Sequence, residues 1–395
     1  MPWKTVFAME ARMKFILAVD ESDESFAGVC RRFGISRKTG YKWLARYERG
    51  GPGALEEPSS AARANAKSLS DAQVDAIVAL RREHPTWGPK KLRSRLETLG
   101  ACLPLPATST FGAVLKRQGL VVPRRRRASG PRELTGLTIG ERPNDVWCVD
   151  FKGDFALGDR TRCYPLTISD FESRYLLACD ALSSTKERTA REVFERVFRE
   201  FGLPEYIRSD NGVPFSSTAI GGLTALCIWW IKLGITPERT EPGHPEQNGR
   251  HERMHRTLKA EAAHPPQYEQ VAQQRAHDRF RHEYNDIRPH EALGLRTPAS
   301  RYATSRRSMP GQLTSPGYPV EMESRRLDRS GRLALYGTTI VIANALASEP
   351  VGIERVGDDV SDIYFGPLRL GSISYRNKKA TLTKGPSRIR AAVAL

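Results

Sequence analysis

The chain has 395 residues, of which 39% are hydrophobic, and this is enough to build packed cores and to exclude wholesale disorder. Lysine and arginine number 62 against 45 aspartates and glutamates, so a net charge of +17 predicts a polyanionic partner, most commonly nucleic acid. The alternative is a basic enzyme that ignores DNA. The six cysteines form no C-x-x-C pair and no apolar run reaches membrane-span length, so we expect a reducing cytoplasmic, nucleoid-associated protein with no membrane partner.

The first predicted unit, residues 1–52, is a helix-turn-helix. Apolar spacing predicts three short helices between residues 9 and 49, and Gly34-Ile35-Ser36 forms the turn before the last of them, with Ser36 as its N-cap. The alternative is an ordinary three-helix bundle whose basic face is merely solvated. We expect the last helix to enter the major groove of DNA. Its predicted DNA-binding residues are Arg37, Lys38, Lys42 and Arg46.

A second helical unit is predicted over residues 69–120, after a small and polar linker at 53–68. Pro89 suits the first turn of a helix, and Thr108 is a candidate cap for the next, which together predict a second, winged-like helix-turn-helix. A basic linker at 121–142 follows, and it is expected either to follow a phosphate backbone or to be simply solvated. Its predicted DNA-binding residues are Arg124, Arg125, Arg126 and Arg127.

The pattern then changes from helical to mixed. Residues 143–300 read as strands first and then as strands interleaved with helices, which predicts an α/β domain with a mixed five-stranded sheet covered by helices. Short alternating runs separated by glycine and aspartate turns at 318–382 predict a small β-barrel. Residues 383–395 read as a basic tail.

Two aspartates occupy the ends of predicted strands. Asp150 precedes Phe-Lys-Gly153, and Asp210 precedes Asn-Gly212. A carboxylate at the carboxyl end of a strand, with a glycine turn behind it, is exposed at the sheet edge where α/β proteins build their sites. A lone aspartate before Asn-Gly is more often only turn chemistry. The functional interpretation therefore depends on both aspartates and on a third carboxylate.

Glu252 is the third carboxylate, at the start of a helix that follows Asn248-Gly249. Arg256 and Lys259 lie four and seven residues later, on the same helical face, and this combination suits a metal ion beside a phosphodiester. The same segment, His251 to His255, also matches the zinc-protease pattern H-E-x-x-H. That alternative needs a third ligand downstream, and no recognisable motif supplies one. We therefore expect both histidines to be bystanders on the next face.

Three short motifs occur in order along this region. They are Trp147-x-x-Asp150-Phe-Lys-Gly, Ser209-Asp210-Asn-Gly and His244-Pro-x-x-Asn248-Gly-x-x-Glu252-Arg-x-x-x-x-Leu258-Lys. Together they resemble the Asp, Asp, Glu motifs of bacterial insertion-sequence transposases of the DDE type, which have a retroviral-integrase-like catalytic core. The resemblance implies a ribonuclease-H-like fold for residues 143–300. It also implies that Asp150, Asp210 and Glu252 bind two Mg²⁺ or Mn²⁺ ions.

The resemblance further implies a two-step reaction on DNA. Water frees a 3′-hydroxyl at an element end, and that hydroxyl attacks target DNA, with Asp150 bridging the two ions. Arg256 and Lys259 would hold phosphates, and Asn248 would position the terminal nucleotide. The implied partners are double-stranded DNA, both as terminal inverted repeats and as target, and further copies of the chain in at least a dimer.

One departure from the family pattern concerns the third carboxylate. In this chain 35 residues separate Asp210 from Glu246, as in many relatives, whereas 41 separate it from Glu252. We choose Glu252 because it follows Asn-Gly and begins the basic-faced helix. The alternative function is a sequence-specific DNA-binding regulator whose integrase-like core is catalytically degenerate.

Overall fold

A computed structural model describes residues 8–56, 69–100, 104–121, 136–217, 220–241, 244–335, 337–376 and 379–384. The predicted DNA contacts at 124–127 lie outside these ranges. The chain divides into two compact units, Met1–Ser70 and Asp71–Leu395. Within the described ranges, no helix is both long enough and apolar enough to cross a bilayer.

The first unit contains the predicted helix-turn-helix. Its helices are α1 (Ala8–Glu21), α2 (Phe26–Arg32) and α3 (Arg37–Gly50), and a short 3-10 turn follows at Pro52–Leu55. The Ser36 hydroxyl caps α3 by accepting a hydrogen bond from the Thr39 backbone N–H at 3.2 Å, as the sequence predicts. Gly34 has φ 64°, a left-handed conformation that glycine adopts without strain, and this makes the turn tight. The core consists of Phe15, Ile16, Val29, Cys30, Ile35, Trp43 and Leu55.

Three further helices begin the second compact unit. They are α4 (Asp71–Glu83), α5 (Pro89–Thr98) and α6 (Thr108–Arg117). Pro89 does open a helix, but Thr108 is not a cap, since Ala107 holds that position without a side-chain hydrogen bond. These helices pack against the region that follows. The His84 Nδ1 lies 2.9 Å from Glu283 Oε1, and the Thr86 hydroxyl donates to Glu261.

A mixed sheet forms the centre of this unit. Its strands are β1 (Val146–Phe151), β2 (Phe155–Ala156), β3 (Arg162–Asp170), β4 (Leu176–Leu182), β5 (Tyr206–Ser209) and β6 (Thr236–Arg239). Strand β3 pairs antiparallel with β1 and β4, whereas β1, β5 and β6 run parallel. The spatial order of the five principal strands is β4-β3-β1-β5-β6, with the two-residue β2 beside β3. The predicted mixed sheet is confirmed.

Helices cover both faces of this sheet. They are α7 (Glu187–Phe201), α8 (Ala225–Lys232), α9 (Gly249–Leu258) and α10 (Gln270–His282). Side chains of α7 and α8 pack on one face, and side chains of α9 and α10 pack on the other. The sequence predicts a longer helix over 215–233. It is shorter because Gly221 and Gly222 adopt φ 63° and 62°, and Arg239 donates hydrogen bonds to both of their carbonyls.

The C-terminal strands do not form the predicted β-barrel. They are β7 (Glu323–Arg326), β8 (Arg332–Leu335), β9 (Thr338–Val341), β10 (Pro350–Arg355), β11 (Val360–Phe365), β12 (Leu368–Arg376) and β13 (Lys379–Lys384). Five of them make an open antiparallel sheet in the order β13-β12-β11-β10-β7, and β8 and β9 make a separate pair. In the described residues, β7 and β13 are the edges of that sheet.

The barrel prediction fails because another element covers the apolar face of this sheet. A closed barrel buries its interior side chains against one another. Here Phe365 and Leu370 instead join the same apolar cluster as Trp230 and Ile231 of α8. The approach is close, since a Cβ added at Gly366 would lie 2.6 Å from Ile231 Cγ2. With α8 covering its apolar face, the sheet has no need to close.

Candidate active site

The sheet places Asp150 and Asp210 side by side. Strands β1 and β5 are adjacent and parallel, and Val149 is the register partner of Ser209. The residues that follow these two are Asp150 and Asp210, so both carboxylates lie at the carboxyl ends of neighbouring strands. This edge is where an α/β sheet exposes groups to a ligand.

Glu252 reaches the same region from helix α9. It is exposed in the first turn, while the opposite side of the helix is buried against the sheet. A cavity of about 470 Å³, which we call the carboxylate cavity, contains both Asp150 and Glu252. Arg256 and Lys259 line it too, so the predicted shared face of α9 is present. The other lining residues are Phe151, Lys152, Gly153 and His255.

The pKa of Asp150 reflects its burial first and its acidic neighbours second. Its side chain is only 22% exposed. Burial is the main cause that raises its pKa to about 7; the negative charge of Asp210 adds to it, Lys152 opposes it, and Glu252 makes the smallest contribution. Lys152 was not assigned a role from sequence, although it follows Asp150 by two residues in the Asp-Phe-Lys-Gly motif.

Asp210 combines turn chemistry with a position at the site. Its Oδ1 accepts a hydrogen bond from the Gly212 backbone N–H at 3.0 Å, which folds the carboxylate back over its own turn. A Cβ added at Gly212 would lie 3.0 Å from Asp210 Oδ2, so this turn is tailored to glycine. Asn211 Nδ2 donates to the Thr240 carbonyl at 2.8 Å and anchors the loop to the chain that follows β6.

The donor set suits a hard divalent cation, but the donors do not converge. Carboxylate oxygens are the ligands that Mg²⁺ and Mn²⁺ prefer. In the described ranges, however, no three histidine, cysteine, aspartate or glutamate side chains are grouped closely enough to hold a metal ion. One Asp210 oxygen is engaged by the Gly212 backbone N–H in its own turn.

His251 and His255 attach α9 to the sheet directly beneath Asp150. Their Nε2 atoms lie 2.7 and 2.6 Å from the Thr167 hydroxyl oxygen, and that hydroxyl donates to the Asp150 carbonyl at 3.1 Å. Burial lowers the pKa of His251 to about 3 and that of His255 to about 2, so both rings are neutral. They are therefore packing residues of the site rather than bystanders.

His255 connects the Thr167 hydroxyl to the Asp150 carboxylate. Its Nε2 lies 2.6 Å from the Thr167 hydroxyl oxygen, and its Nδ1 lies 3.6 Å from Asp150 Oδ2. The ring therefore lines the carboxylate cavity directly beside Asp150.

The zinc-protease interpretation does not fit this geometry. The point on which both Nε2 atoms converge is occupied by the Thr167 hydroxyl, and Glu252 faces away on the exposed side of α9. Across the described ranges, no third ligand is grouped with the two histidines.

The chain matches two kinds of known domain. The integrase core domain matches residues 140–245 and again 233–298. A homeodomain-like domain matches residues 8–56 and 39–115. The chain therefore contains an integrase core domain and is similar to proteins of bacterial insertion elements, as the three motifs predict.

Individual relatives agree with this assignment. The chain is 27% identical over 235 residues to an uncharacterized 31.7 kDa protein of insertion element IS407 from Burkholderia multivorans, covering 59% of this chain and 80% of that one. It is also 27% identical over 245 residues to a 39.2 kDa protein of insertion element IS476 from Xanthomonas euvesicatoria, covering 62% and 68%. A 125-residue segment is 34% identical to the Gag-Pol polyprotein of baboon endogenous virus, 31% of this chain and 7% of that one.

Among solved structures, the HTLV-2 integrase catalytic core domain in complex with magnesium aligns with 15% identity and a TM-score of 0.34. The alignment covers 42% of this chain and 100% of that domain. A simian T-cell lymphotropic virus intasome with a regulatory subunit of PP2A is similar to 81% of this chain, with 13% identity and a TM-score of 0.37.

Two other carboxylates near the carboxylate cavity have structural partners. Asp154 pairs with Arg162 on strand β3. Asp170 accepts hydrogen bonds from the backbone N–H groups of Asn144 at 2.7 Å and Ser173 at 2.8 Å, and so holds the turn between β3 and β4.

The predicted DNA-binding residues differ in exposure. On α3, Arg37, Lys38 and Lys42 are exposed, whereas Arg46 is half-buried and its guanidinium lies 4.9 Å from the Trp43 ring centroid. Arg46 is therefore partly engaged in packing against Trp43.

Asn248 precedes the first turn of α9. It is 9% exposed, and its Oδ1 is buried without a hydrogen-bond partner in the described part of the chain.

Proposed function

We propose that this protein is a DNA transposase that binds element ends, hydrolyses them to free 3′-hydroxyl groups and joins those ends to target DNA. The observation that carries the proposal is the placement of Asp150 and Asp210 at the ends of adjacent parallel strands, with Glu252 lining the same cavity as Asp150. These residues lie in the part of the chain that matches the integrase core domain. A fold gains no stability from bringing like charges together, whereas a metal-dependent site needs them.

The three carboxylates are the proposed ligands of two Mg²⁺ or Mn²⁺ ions. Asp150 and Glu252 line one cavity, and Asp210 ends the strand beside Asp150, so these three side chains would hold the ions. Such ions, when bound, polarise the attacking oxygen and neutralise the leaving oxygen of a phosphodiester.

The cations of the carboxylate cavity complete the proposed site. Arg256 and Lys259 line the cavity beside Glu252, where they would pair with phosphates of the bound strand. Lys152 faces Asp150 and offsets part of its buried charge. The Thr167 hydroxyl donates to the Asp150 carbonyl, and the His255 ring lies beside the Asp150 carboxylate. The buried amide of Asn248 is the proposed contact to the terminal nucleotide.

DNA recognition is assigned to the helix-turn-helix regions. The exposed cations Arg37, Lys38 and Lys42 on α3, with Arg46 beside them, are the proposed major-groove contacts, and the basic run at 124–127 the proposed backbone contact. The substrates are terminal inverted repeats and target DNA, so the reaction would occur at the nucleoid. Joining two ends requires at least two copies of the chain.

The test is a strand-transfer assay with Asp210→Asn. The substrate is a duplex carrying the repeats that flank the gene, with Mg²⁺ or Mn²⁺ supplied. We expect end joining to fall by at least about 10³-fold while end binding is retained. Asp154→Asn is the matched control, because Asp154 is a nearby aspartate that pairs with Arg162. Wild-type joining by Asp210→Asn would remove Asp210 from the site.

The second candidate is a DNA-binding regulator with a degenerate core. The observation in its favour is that Asp210 is hydrogen-bonded to Gly212 and that, in the described ranges, the carboxylates do not converge. It predicts that the wild-type protein binds the terminal repeats tightly, yet cleaves and joins no DNA with either metal.

A further inference from the structure

A second cavity lies on the other side of α9, between that helix and α5. Its volume is about 660 Å³, and residues of both the second helical unit and the integrase core line it. We call it the arginine pocket. Its cations are Lys91, Arg174, Arg250, Arg253, Arg256 and Arg288.

These cations are not balanced by acids within the pocket. The one lining carboxylate is that of Glu291, and the Lys90 Nζ already lies 3.6 Å from it. Arg288 has an ion pair, with its Nη1 at 2.6 Å from Glu261 Oε1, and Arg250 Nη1 donates to the Phe171 carbonyl at 2.9 Å. Burial, and to a lesser degree the neighbouring Arg288, lowers the pKa of Lys91 to about 8. A crowded, partly buried set of cations is complementary to a polyanion.

Arg174 lines the pocket from the turn between β3 and β4. It has φ 64°, a left-handed conformation that is strained for a residue with a Cβ and free of strain for glycine. Its Nε is buried and has no hydrogen-bond acceptor in the described part of the chain. Neither feature stabilises the fold, and the buried Nε is a donor that a phosphate oxygen would satisfy.

Arg256 joins the two cavities. It lines the carboxylate cavity and the arginine pocket, which lie on adjacent sides of α9. Because one side chain lines both cavities, a DNA strand that enters the carboxylate cavity can continue directly into the arginine pocket. Guanidinium groups pair with phosphates through two hydrogen bonds.

We propose that the arginine pocket binds the phosphodiester backbone of the same DNA whose end enters the carboxylate cavity. The inference rests on the proposed DNA substrate. It assigns the pocket a positioning role: the bound backbone connects α5 of the second helical unit to α9 of the core and fixes the distance from the gripped phosphates to the reacting one.

The test compares Arg174→Gly and Arg253→Ala with Arg188→Ala in the full-length protein. Arg188 is the charge-matched control, because its side chain is 91% exposed on α7 and pairs with Glu192. Binding of the end duplex is measured by fluorescence anisotropy over a salt series, without divalent metal. We expect each pocket variant to weaken binding about three- to tenfold and to reduce the slope of log K against log salt by about one.

Thermal unfolding separates this role from a structural one. Because glycine relieves the strain at position 174, Arg174→Gly should melt at or above the wild-type temperature although it binds DNA less well. Unchanged affinity and salt slope in both pocket variants would overturn the proposal. An equal loss of affinity in Arg188→Ala would also overturn it, because the loss would then reflect net charge rather than the pocket.

A free polyphosphate is the other source of the same chemistry. Tripolyphosphate is added to wild-type protein and to Arg174→Gly, and its binding is competed with the end duplex. Competition by the duplex supports a DNA-backbone site. Tripolyphosphate binding that needs Arg174 but persists with saturating duplex overturns it. Since these measurements need no catalysis, a protein that binds through the pocket but joins no DNA would refute the transposase function and leave the pocket assignment intact.

Discussion

Helix α9 separates two cavities of opposite character. On one side Asp150 is buried near the negative charges of Asp210 and Glu252, and its pKa is raised to about 7. On the other side cations crowd together, and the pKa of Lys91 is lowered to about 8. In each cavity the side chains carry charges of one sign, which do not stabilise the fold. The cavities differ in the ligand that would neutralise them. Divalent cations suit the carboxylate cavity and a phosphate backbone suits the arginine pocket, as a metal-dependent reaction on DNA requires.

The largest effect is expected from neutralising the acidic side. Asp150→Asn keeps the size of the side chain and removes the charge nearest the other two carboxylates. We predict a loss of strand transfer of at least about 10³-fold, with end binding within about twofold of wild type. Joining and binding are measured on the same duplex. Equal losses of joining and binding would mean that the two cavities do not have separate roles.

A smaller catalytic loss is expected when Asp150 keeps its charge but loses its support. His255→Ala removes the ring that lies between Thr167 and the Asp150 carboxylate. We predict a 10- to 100-fold loss of strand transfer, typical of residues that orient a metal ligand, with a higher Mg²⁺ requirement. His282→Ala is the control, because His282 is an exposed histidine on α10 that pairs with Asp286, and it should join DNA at the wild-type rate. Wild-type joining by His255→Ala as well would mean that His255 contributes only to packing.

The raised pKa of Asp150 predicts a pH-dependent stability for the metal-free protein. Because the folded state holds this proton more tightly than the unfolded state, the contribution is present at low pH and is lost as the pH rises through about 7. Between pH 5 and 8 wild type should lose about 2 kcal/mol relative to Asp150→Asn.

Urea unfolding in chelator at both pH values measures this difference. Titration of the buried neutral histidines affects both proteins alike and cancels. A constant difference between the two proteins would show that the carboxylates are too far apart, or too well solvated, to act on one another.

The smallest effect is expected on the exposed face of α3. Lys38 is solvated, unlike the cations of the arginine pocket, so Lys38→Ala should weaken end binding only several-fold and lower the salt slope by about one. Thermal unfolding should be unchanged. If DNA binding is also unchanged, the first unit is a three-helix bundle with a solvated basic face and does not bind DNA through α3.

Features that depend only on residues near one another in the sequence could be predicted from it. Ser36 as a cap, Pro89 at a helix start and the aspartates at strand ends follow from short-range chemistry, and the structure places them so. The shared face of Glu252, Arg256 and Lys259 follows from helical periodicity alone.

Features that need the tertiary fold were missed or mispredicted. The open C-terminal sheet is covered by α8, a pairing that no local pattern encodes. His251 and His255 find their partner in Thr167, more than 80 residues earlier. The arginine pocket draws Lys91, Arg174 and Arg288 from distant segments, so composition shows the excess charge but not where it gathers.

The most direct measurement compares Glu252→Gln with Glu246→Gln in one strand-transfer assay. Glu252 lines the carboxylate cavity and its charge raises the pKa of Asp150, whereas Glu246 lies in the 3-10 turn Pro245–Asn248 before α9. We predict that Glu252→Gln loses at least about 10³-fold in joining while binding ends normally, and that Glu246→Gln joins near the wild-type rate. Normal joining by Glu252→Gln, with loss in Glu246→Gln, would contradict the site described here.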